Sequence, residues 1–428
     1  MNNKKIIYVL LDGIGDLPHP DLNNLTPLEA AITPNLDKIA RNGVSGQVTS
    51  VGEGIAPQSD IAVFNMLGYN FKDKDYVGRG VVECLGCNIN FKDGDLALRG
   101  NFATVDLNKK IMDRRAGRVI SKDDANEICD LINKNIKIKD IEIYVKPTIG
   151  HRVIIHFRKK NCILGENITN TDPAYDKING IGVAKSNSPD ELYVTYSQYK
   201  NEDSKFSAEI VNTFSDQVFE LLNNCEVNKR RLNKGLLPIN SILLRDAGNR
   251  YPHIQPINEK YQLNFASLVD MPVEIGISKI LGIASYEAGD PNEYELKAKT
   301  LLNIIKTHDF FYVHIKGPDE FGHDGDAKGK KKNIEEIDTH FFKPLLDGIV
   351  DFMDMDVSFI ISGDHSTPCI KKAHTDDPIP IIVSGKNIEN KGTSRFTELN
   401  SSEGKIGKIL GYEVIKRSLN YLDQAQNK

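Results

Sequence analysis

KKIIYVLLDGIGD, residues 4–16, is the stretch whose reading decides the fold. From Ile6 to Leu11 the chain is continuously apolar, with no polar side chain left for solvent. Such a short run suits a strand buried on both faces of a parallel sheet, and Asp12 and Gly13 close it. In open α/β sheets, ligands collect beyond the carboxyl ends of the strands. The same run-then-acid junction recurs where Asp319 and His323 follow Phe310 to Ile315, and where Asp364 and His365 follow Val357 to Ser362. Together with Ser59 and His374, these residues make a metal-philic set large enough to hold two ions. The junctions therefore predict one site assembled from distant segments.

At 428 residues the chain exceeds the roughly 250 to 300 residues at which single cores stop growing, so two domains are expected. From about Val81 to Lys185 the texture changes to short alternating stretches such as LALRGNFATVDL, IEIYVK and RVIIHF, broken by Gly, Asn and Lys. Beyond it, FSAEIVNTFSDQVFELLNN reads as an amphipathic helix, and from PINSILLRDAGNRYP onward strands again alternate with helical stretches. The expected architecture is an α/β catalytic domain, residues 1–85 and 190–428, with a mostly parallel sheet flanked by helices. A smaller α+β domain, residues 86–189, is inserted into it as a substrate-binding lid.

A net charge of −5 offers no overall attraction for nucleic acid or anionic membrane. No run reaches the roughly 18 apolar residues of a membrane span, and Met1 to Lys5 is not followed by a secretory pattern, so a cytoplasmic location is expected. Composition does not bear on oligomeric state. Six cysteines in so long a chain make no disulfide framework, and Cys84 and Cys87 read as two packed thiols rather than half of a zinc site. The basic run KGKKKN, residues 328–333, reads as a solvated loop or helix start.

The spacing of the candidate ligands carries chemistry. Asp319 and His323 are four apart, so a helical turn aims both at one ion, and imidazole with carboxylate suits Mn²⁺, Zn²⁺ or Co²⁺. Asp364 and His365 are adjacent at a strand end, where neighbouring side chains diverge toward different ions. Two close ions suit phosphoryl or sulfuryl transfer. Ser59, in GEGIAPQSDIAVF, follows a Gly/Pro-rich loop at a predicted helix start, where a nucleophile meets backbone N–H groups and the positive end of the helix dipole. A plain N-cap is equally compatible with the local sequence. The helix in TPNLDKIARNG is expected to have Thr33 as N-cap, Pro34 at its first position and Gly43 as its stop.

Taken together, LLDGIGD, TPLEAAITPNLDKIARNG, APQSD with LGY downstream, YVGRG with its following Glu, DRRAGR, LLRDAGNRYP, HIKGPDEFGHDGD and SGDHSTPCIKKAHTDDPIP resemble the archaeal type of 2,3-bisphosphoglycerate-independent phosphoglycerate mutases, within the alkaline phosphatase superfamily. The resemblance spans nearly the whole length. It implies interconversion of 3-phosphoglycerate and 2-phosphoglycerate through a phosphoserine, with two divalent ions, commonly Mn²⁺, with Zn²⁺, Co²⁺ or Mg²⁺ as alternatives. By the same resemblance Ser59 is the nucleophile; Asp12, Ser59, Asp364 and His365 surround one ion, and Asp319, His323 and His374 hold the other. The family usually has Gly before the Ser-Asp pair, where this chain has Gln58. In DRRAGR, Arg114, Arg115 and Arg118 are expected to clamp a substrate bearing phosphate and carboxylate, and Asp113 to shuttle a proton between its hydroxyls. His151 and Arg152 add an anion contact and a proton carrier, and Arg245, Arg250 and Lys316 are expected from the larger domain, with Arg79 a weaker candidate. A phosphatase, a homoserine kinase-like enzyme and an inactive phosphosugar-binding relative remain the alternatives.

Overall fold

The computed structural model describes residues 4–70, 77–178, 181–184, 191–352, 355–386, 388 and 394–426. In chain order its strands are β1 (Lys4–Leu11), β2 (Gly43–Thr49), β3 (Leu96–Val105), β4 (Ile111–Asp113), β5 (Glu142–Pro147), β6 (Arg152–Arg158), β7 (Tyr175–Ile178), β8 (Ile181–Ala184), β9 (Ser241–Gly248), β10 (Phe265–Leu268), β11 (Ala284–Tyr286), β12 (Phe310–Ile315), β13 (Asp356–Gly363), β14 (Ile379–Ser384) and β15 (Gly407–Leu410). Two compact units result. Residues 1–71, 255–270 and 281–428 form the first, and residues 72–254 with 271–280 the second.

The first unit holds an eight-stranded sheet in the order β11-β10-β12-β1-β13-β14-β2-β15. β1 lies between β12 and β13 and is parallel to both, and β14 alone runs against its neighbours. Every residue of β1 from Ile6 to Leu11 is buried. Ile7, Val9 and Leu11 pack with Val313, Ile315, Leu301, Ile334 and Phe341 on one face, while Tyr8 meets Phe310 edge-on across the other. Burying each such side chain contributes about 1.5–3 kcal/mol, which is why the run has no polar interruption. Leu11 is in register with Ile315 and with Gly363, so the segments that follow these three residues leave the sheet at one edge.

The helix Pro34–Arg41 forms as expected, with Thr33 before it, but Thr33 makes no side-chain cap. The fully buried Asp338 does that work from afar, accepting from the backbone N–H of Asn35 at 3.3 Å and of Leu36 at 2.7 Å. The helix stops at Asn42, and Gly43 already opens β2. The run KGKKKN also departs from the solvated reading: Lys331 and Lys332 pair with Glu335 and Glu336 one turn on, but Lys330 is completely buried. Its ammonium donates to Asp16 Oδ2 at 2.8 Å, to the Thr367 carbonyl at 3.0 Å and to the Gly15 carbonyl at 3.2 Å. One helix face explains the difference, because Ala327, Lys330, Ile334 and Ile337 follow the three- and four-residue spacing of the buried stripe.

The second unit is built on β3, which pairs antiparallel with β4, β6 and β9, while β5 joins the outer edge of β6 and β7 with β8 makes a separate two-stranded antiparallel sheet. The amphipathic helix Lys205–Asn223 and the Ser121-capped helix Lys122–Asn135 bury Phe214, Val211, Ile128 and Ile132 with Phe157 of β6. The bounds of this unit correct the expected 86–189. Residues 190–254 belong to it because β9, fully buried, pairs with β3 and not with the large sheet. The helix Pro272–Ile280 belongs to it because it packs against the helix Arg79–Gly86, so closely that a Cβ on Gly86 would lie 1.8 Å from the Pro272 carbonyl oxygen. Hydrophobic alternation announces a strand but not its partner.

Cys84 and Cys87 are free, buried thiols, and burial pushes Cys87 up to about 12, so neither is poised to react. Among the described residues no helix is long and apolar enough to cross a membrane.

Candidate active site

All seven predicted ligand residues lie in the first unit, and the structure brings them together. At the end of β1 the chain turns through Gly13 at φ +61°, where any Cβ would meet Asp319 at 2.8 Å. The Gly13 N–H donates to Asp364 Oδ1 at 3.0 Å, tying the loop after β1 to the loop after β13. Asp319 and His323 sit on the helix Pro318–Asp324, with His323 Nε2 3.6 Å from Asp319 Oδ1.

Two groups of ligand atoms converge, each within 4.8 Å: Asp12, Asp364 and His365 in one, and Asp319, His365 and His374 in the other. His365 Nε2 lies 3.3 Å from Asp12 Oδ1 and 3.4 Å from Asp364 Oδ2. His374 Nε2 lies 3.3 Å from Asp319 Oδ1 and 3.1 Å from His323 Nε2. The imidazole of His365 thus stands between two clusters that the sequence assigned separately.

Ser59 begins the helix Ser59–Met66, and Gln58, not Ser59, occupies the N-cap, with φ −73° and ψ 149°. That backbone is open to any residue, so Gln58 in place of the usual Gly imposes no strain. Freed from capping, Ser59 Oγ lies 3.3 Å from His365 Nε2.

The donor set fits divalent cations on three counts. First, the δ-nitrogens of His323 and His374 face backbone carbonyls, those of Lys372 at 3.2 Å and Pro57 at 2.7 Å. A carbonyl only accepts, so both rings are protonated at Nδ1 and present Nε2 lone pairs to each other, an arrangement a cation relieves. Second, Asp12 Oδ1 and Asp364 Oδ2 are buried and accept no hydrogen bond among the described residues. Third, three carboxylates crowd together, Asp12 and Asp364 buried and Asp319 partly so. Burial opposes ionisation of Asp12, but the Lys316 ammonium, 2.6 Å from its Oδ2, and then His365 hold its carboxyl well below the ordinary range. Burial first, and the Asp12 charge second, push Asp364 well above it. An added cation resolves that conflict.

The second unit carries a separate cluster of guanidiniums. The DRRAGR segment is a tight turn with positive φ at Ala116, Gly117 and Arg118, held by Asp113 Oδ1, which accepts from the backbone N–H of Arg115 at 2.7 Å and of Gly117 at 3.0 Å. Arg114 grips Asp172 with 2.6 and 2.9 Å contacts, Arg245 stacks 4.0 Å over the Tyr175 ring, and Arg118 and Arg250 are exposed. Arg79 donates to Glu83 at 2.6 Å, and Arg99 lies 3.7 Å from the same oxygen. Positive charge is in excess. His151 is driven down to about 3, by burial and then by Arg152, Arg115, Arg99 and Arg245. Arg99 falls to about 9 through burial and then Arg79, and Arg245 pulls Tyr175 down to about 8 against its burial. A histidine, an arginine and a tyrosine all shifted toward their deprotonated forms mark a field suited to an anion. His151 is therefore neutral at physiological pH. Arg245 and Arg250 lie in this unit, not in the larger one as expected, and Lys316 alone stays with the metal-philic set.

Thr367, His314, Arg99, Asp172, Tyr175 and Asp246 escaped the sequence reading. Arg99 had a signal, a charge inside the strand pattern LALRG, every residue of which proves buried. His314 and Asp246 had the same signal, a polar residue inside the fully buried strands β12 and β9, whereas Thr367, Asp172 and Tyr175 sit in loops or at a strand start with no periodic mark.

Glu83 allows a direct test of this packing. Burial works against its charge, but Arg99, Arg79 and Arg152 hold its carboxyl at about 2 against an unfolded value of 4.5. A carboxyl depressed on folding stabilises above its unfolded pKa, and that stability is lost as pH falls through the folded value. Denaturant melts between pH 6 and pH 2.5 should show a loss of up to about 3 kcal/mol that Glu83→Gln lacks, at about 1.4 kcal/mol per pKa unit. An unchanged acid slope in the variant would refute the assignment.

The comparisons with known proteins agree with this geometry. A family model described as 2,3-bisphosphoglycerate-independent phosphoglycerate mutase matches residues 40–228. Relatives so described include a protein of Aeropyrum pernix, 37% identical over 98% of this chain and 99% of its own, and one of Methanocaldococcus jannaschii, 36% identical over 97% of each. Among solved structures, a protein from Pyrococcus horikoshii covers 99% of this chain and 98% of its own at TM-score 0.77 and 27% identity. The cofactor-independent phosphoglycerate mutase of Thermoplasma acidophilum covers 97% of this chain and 99% of its own at TM-score 0.62 and 30% identity. With full-length identity at this level, a mostly parallel α/β sheet and the ligand set at its edge, the chain belongs to the 2,3-bisphosphoglycerate-independent phosphoglycerate mutase family.

Proposed function

We propose that the chain interconverts 3-phosphoglycerate and 2-phosphoglycerate, with the phosphoryl group carried in transit on Ser59. The observation that supports this most is the Ser59 hydroxyl, released from capping and 3.3 Å from Nε2 of His365, the residue that both ligand clusters share. Asp12, Ser59, Asp364 and His365 would hold one divalent ion and Asp319, His323 and His374 the other, with His365 near both; Mn²⁺ is the favoured metal, and Zn²⁺, Co²⁺ and Mg²⁺ suit the same donors. When bound, such ions lower the pKa of a nearby hydroxyl and offset charge on the attacking and leaving oxygens.

The remaining work falls to the chain's own groups. The first-turn N–H groups of Ser59–Met66 and its helix dipole favour a phosphoryl group on Ser59. Lys316, fixed on Asp12, places a cation beside the incoming phosphate. For the glycerate, Arg114, Arg115, Arg118, Arg152, Arg245 and Arg250 supply guanidinium forks to carboxylate and phosphate. Asp113, one oxygen of which holds its own turn, is the proposed proton carrier between the 2- and 3-hydroxyls, and neutral His151 can accept a proton once an anion offsets the surrounding charge.

A coupled assay with 3-phosphoglycerate and enolase tests the reading: phosphoenolpyruvate should accumulate, whereas free phosphate without it would make the chain a phosphatase. Dialysis against chelator should lower turnover by at least about 10³-fold, with recovery on adding Mn²⁺, because charge stabilisation of this kind accounts for several kcal/mol of the barrier. Full activity in protein shown to be metal-free by mass spectrometry would end the two-ion proposal.

A further inference from the structure

Thr367 takes no part in the reading above, yet its hydroxyl touches one residue from each ligand cluster. Its Oγ1 lies 2.6 Å from Asp319 Oδ1 and 3.0 Å from His365 Nδ1. We infer that Thr367 is a positioning residue for both cation positions, its single hydroxyl fixing the tautomer of His365 and the orientation of Asp319 together. The inference rests on the proposed ligand set.

The direction of the two bonds follows from a proton count. An ionised carboxylate only accepts, so at 2.6 Å the Thr367 proton goes to Asp319. The oxygen then has only lone pairs for the imidazole, so His365 carries a proton on Nδ1. This leaves Nε2, the atom facing Asp12, Asp364 and Ser59, as the ligand atom. Reversing either bond places two lone pairs against each other inside a pocket where Thr367 and His365 are both buried.

The side chain has no freedom to look elsewhere. A Cβ on Gly13 would meet Thr367 Oγ1 at 2.7 Å, and one on Gly322 would meet the Thr367 methyl at 2.8 Å and its carbonyl oxygen at 2.3 Å. That carbonyl accepts from Lys330 at 3.0 Å, and the Thr367 N–H donates to Gly15 at 3.0 Å. The hydroxyl is thus held from three sides. Groups that orient metal ligands from behind commonly contribute 10- to 100-fold to affinity.

Thr367→Val keeps the shape and removes the hydroxyl, whereas Thr367→Ser keeps the hydroxyl and loses the methyl. Mn²⁺ titrations of the chelator-stripped full chain should show Thr367→Val weaker than the parent by about 10- to 100-fold at both positions, and Thr367→Ser within about threefold. The metal-free melting temperature of Thr367→Val should move little, which separates positioning from folding. Affinity unchanged in Thr367→Val, or lost equally in Thr367→Ser, overturns the inference. Should the valine variant fail to fold, ¹⁵N-histidine spectra of the unsubstituted chain loaded with Zn²⁺ decide it: His365 protonated on Nδ1 supports the inference, and His365 bare at Nδ1 overturns it. Failure of the ligand set itself would look different, as absence of Mn²⁺ binding in the parent chain.

Discussion

Ser59→Ala should lower interconversion by about 10⁴- to 10⁶-fold, the loss seen when a nucleophile is removed from a site that otherwise stays intact. The effect should be confined to turnover. Ser59 is the first residue of its helix and makes no cap, and Gln58 holds the capping position with an unstrained backbone, so alanine changes helix stability by no more than about 0.5 kcal/mol. The other six ligand residues remain, so Mn²⁺ binding should weaken only modestly. Mass spectrometry after quenching the parent chain with 3-phosphoglycerate should find one phosphoryl group on the peptide containing Ser59, and none in the variant. If Ser59→Ala turned over at more than a hundredth of the parent rate, the phosphoserine route would have to be abandoned.

How much of this could be read in advance follows a physical dividing line. β1 was legible because burial on both faces forbids any polar residue between Ile6 and Leu11, and that constraint is written in the composition of one segment. The meeting of most candidate ligands was legible for a related reason: Asp12, Asp319, Asp364 and His365 follow strand ends, and parallel register carried those ends to one edge. What stayed hidden depends on partners chosen far along the chain. Strand β9 has the pattern of a buried strand, but nothing in SILLRDAG says that it will add to β3. The cap of the helix Pro34–Arg41 comes from Asp338, some three hundred residues away, which made the nearby Thr33 look sufficient. Sharing of His365 between two clusters is likewise a matter of where a ring sits among strand ends, not of spacing.

Lys330 is the sharpest case, since its run of neighbouring lysines hid a buried ion pair, and its removal should have the largest effect on stability. Lys330→Met fits the volume of the side chain but strips all three hydrogen bonds of the ammonium, taking its donor from the Thr367 carbonyl and leaving the Gly15 carbonyl with the Thr367 N–H. Asp16 is left as a charge in a closed space. Its side chain is fully buried in the pair, and its remaining partners are the backbone N–H groups of Leu17 and Cys369. Breaking a buried pair from one side costs about 3–5 kcal/mol, which for a unit of this size lowers the melting temperature by about 10 °C. Asp16→Asn in the Lys330→Met background removes the stranded charge while keeping an acceptor for the two N–H groups, and should recover part of the loss. The double-mutant cycle therefore separates the pair from packing: a coupling near zero, or a Lys330→Met chain as stable as the parent, would mean that the three bonds contribute shape rather than charge. The same variant has a chemical consequence. With the Thr367 carbonyl no longer held, the hydroxyl between Asp319 and His365 gains freedom, so Mn²⁺ affinity should fall alongside stability, although no atom of Lys330 touches either cluster.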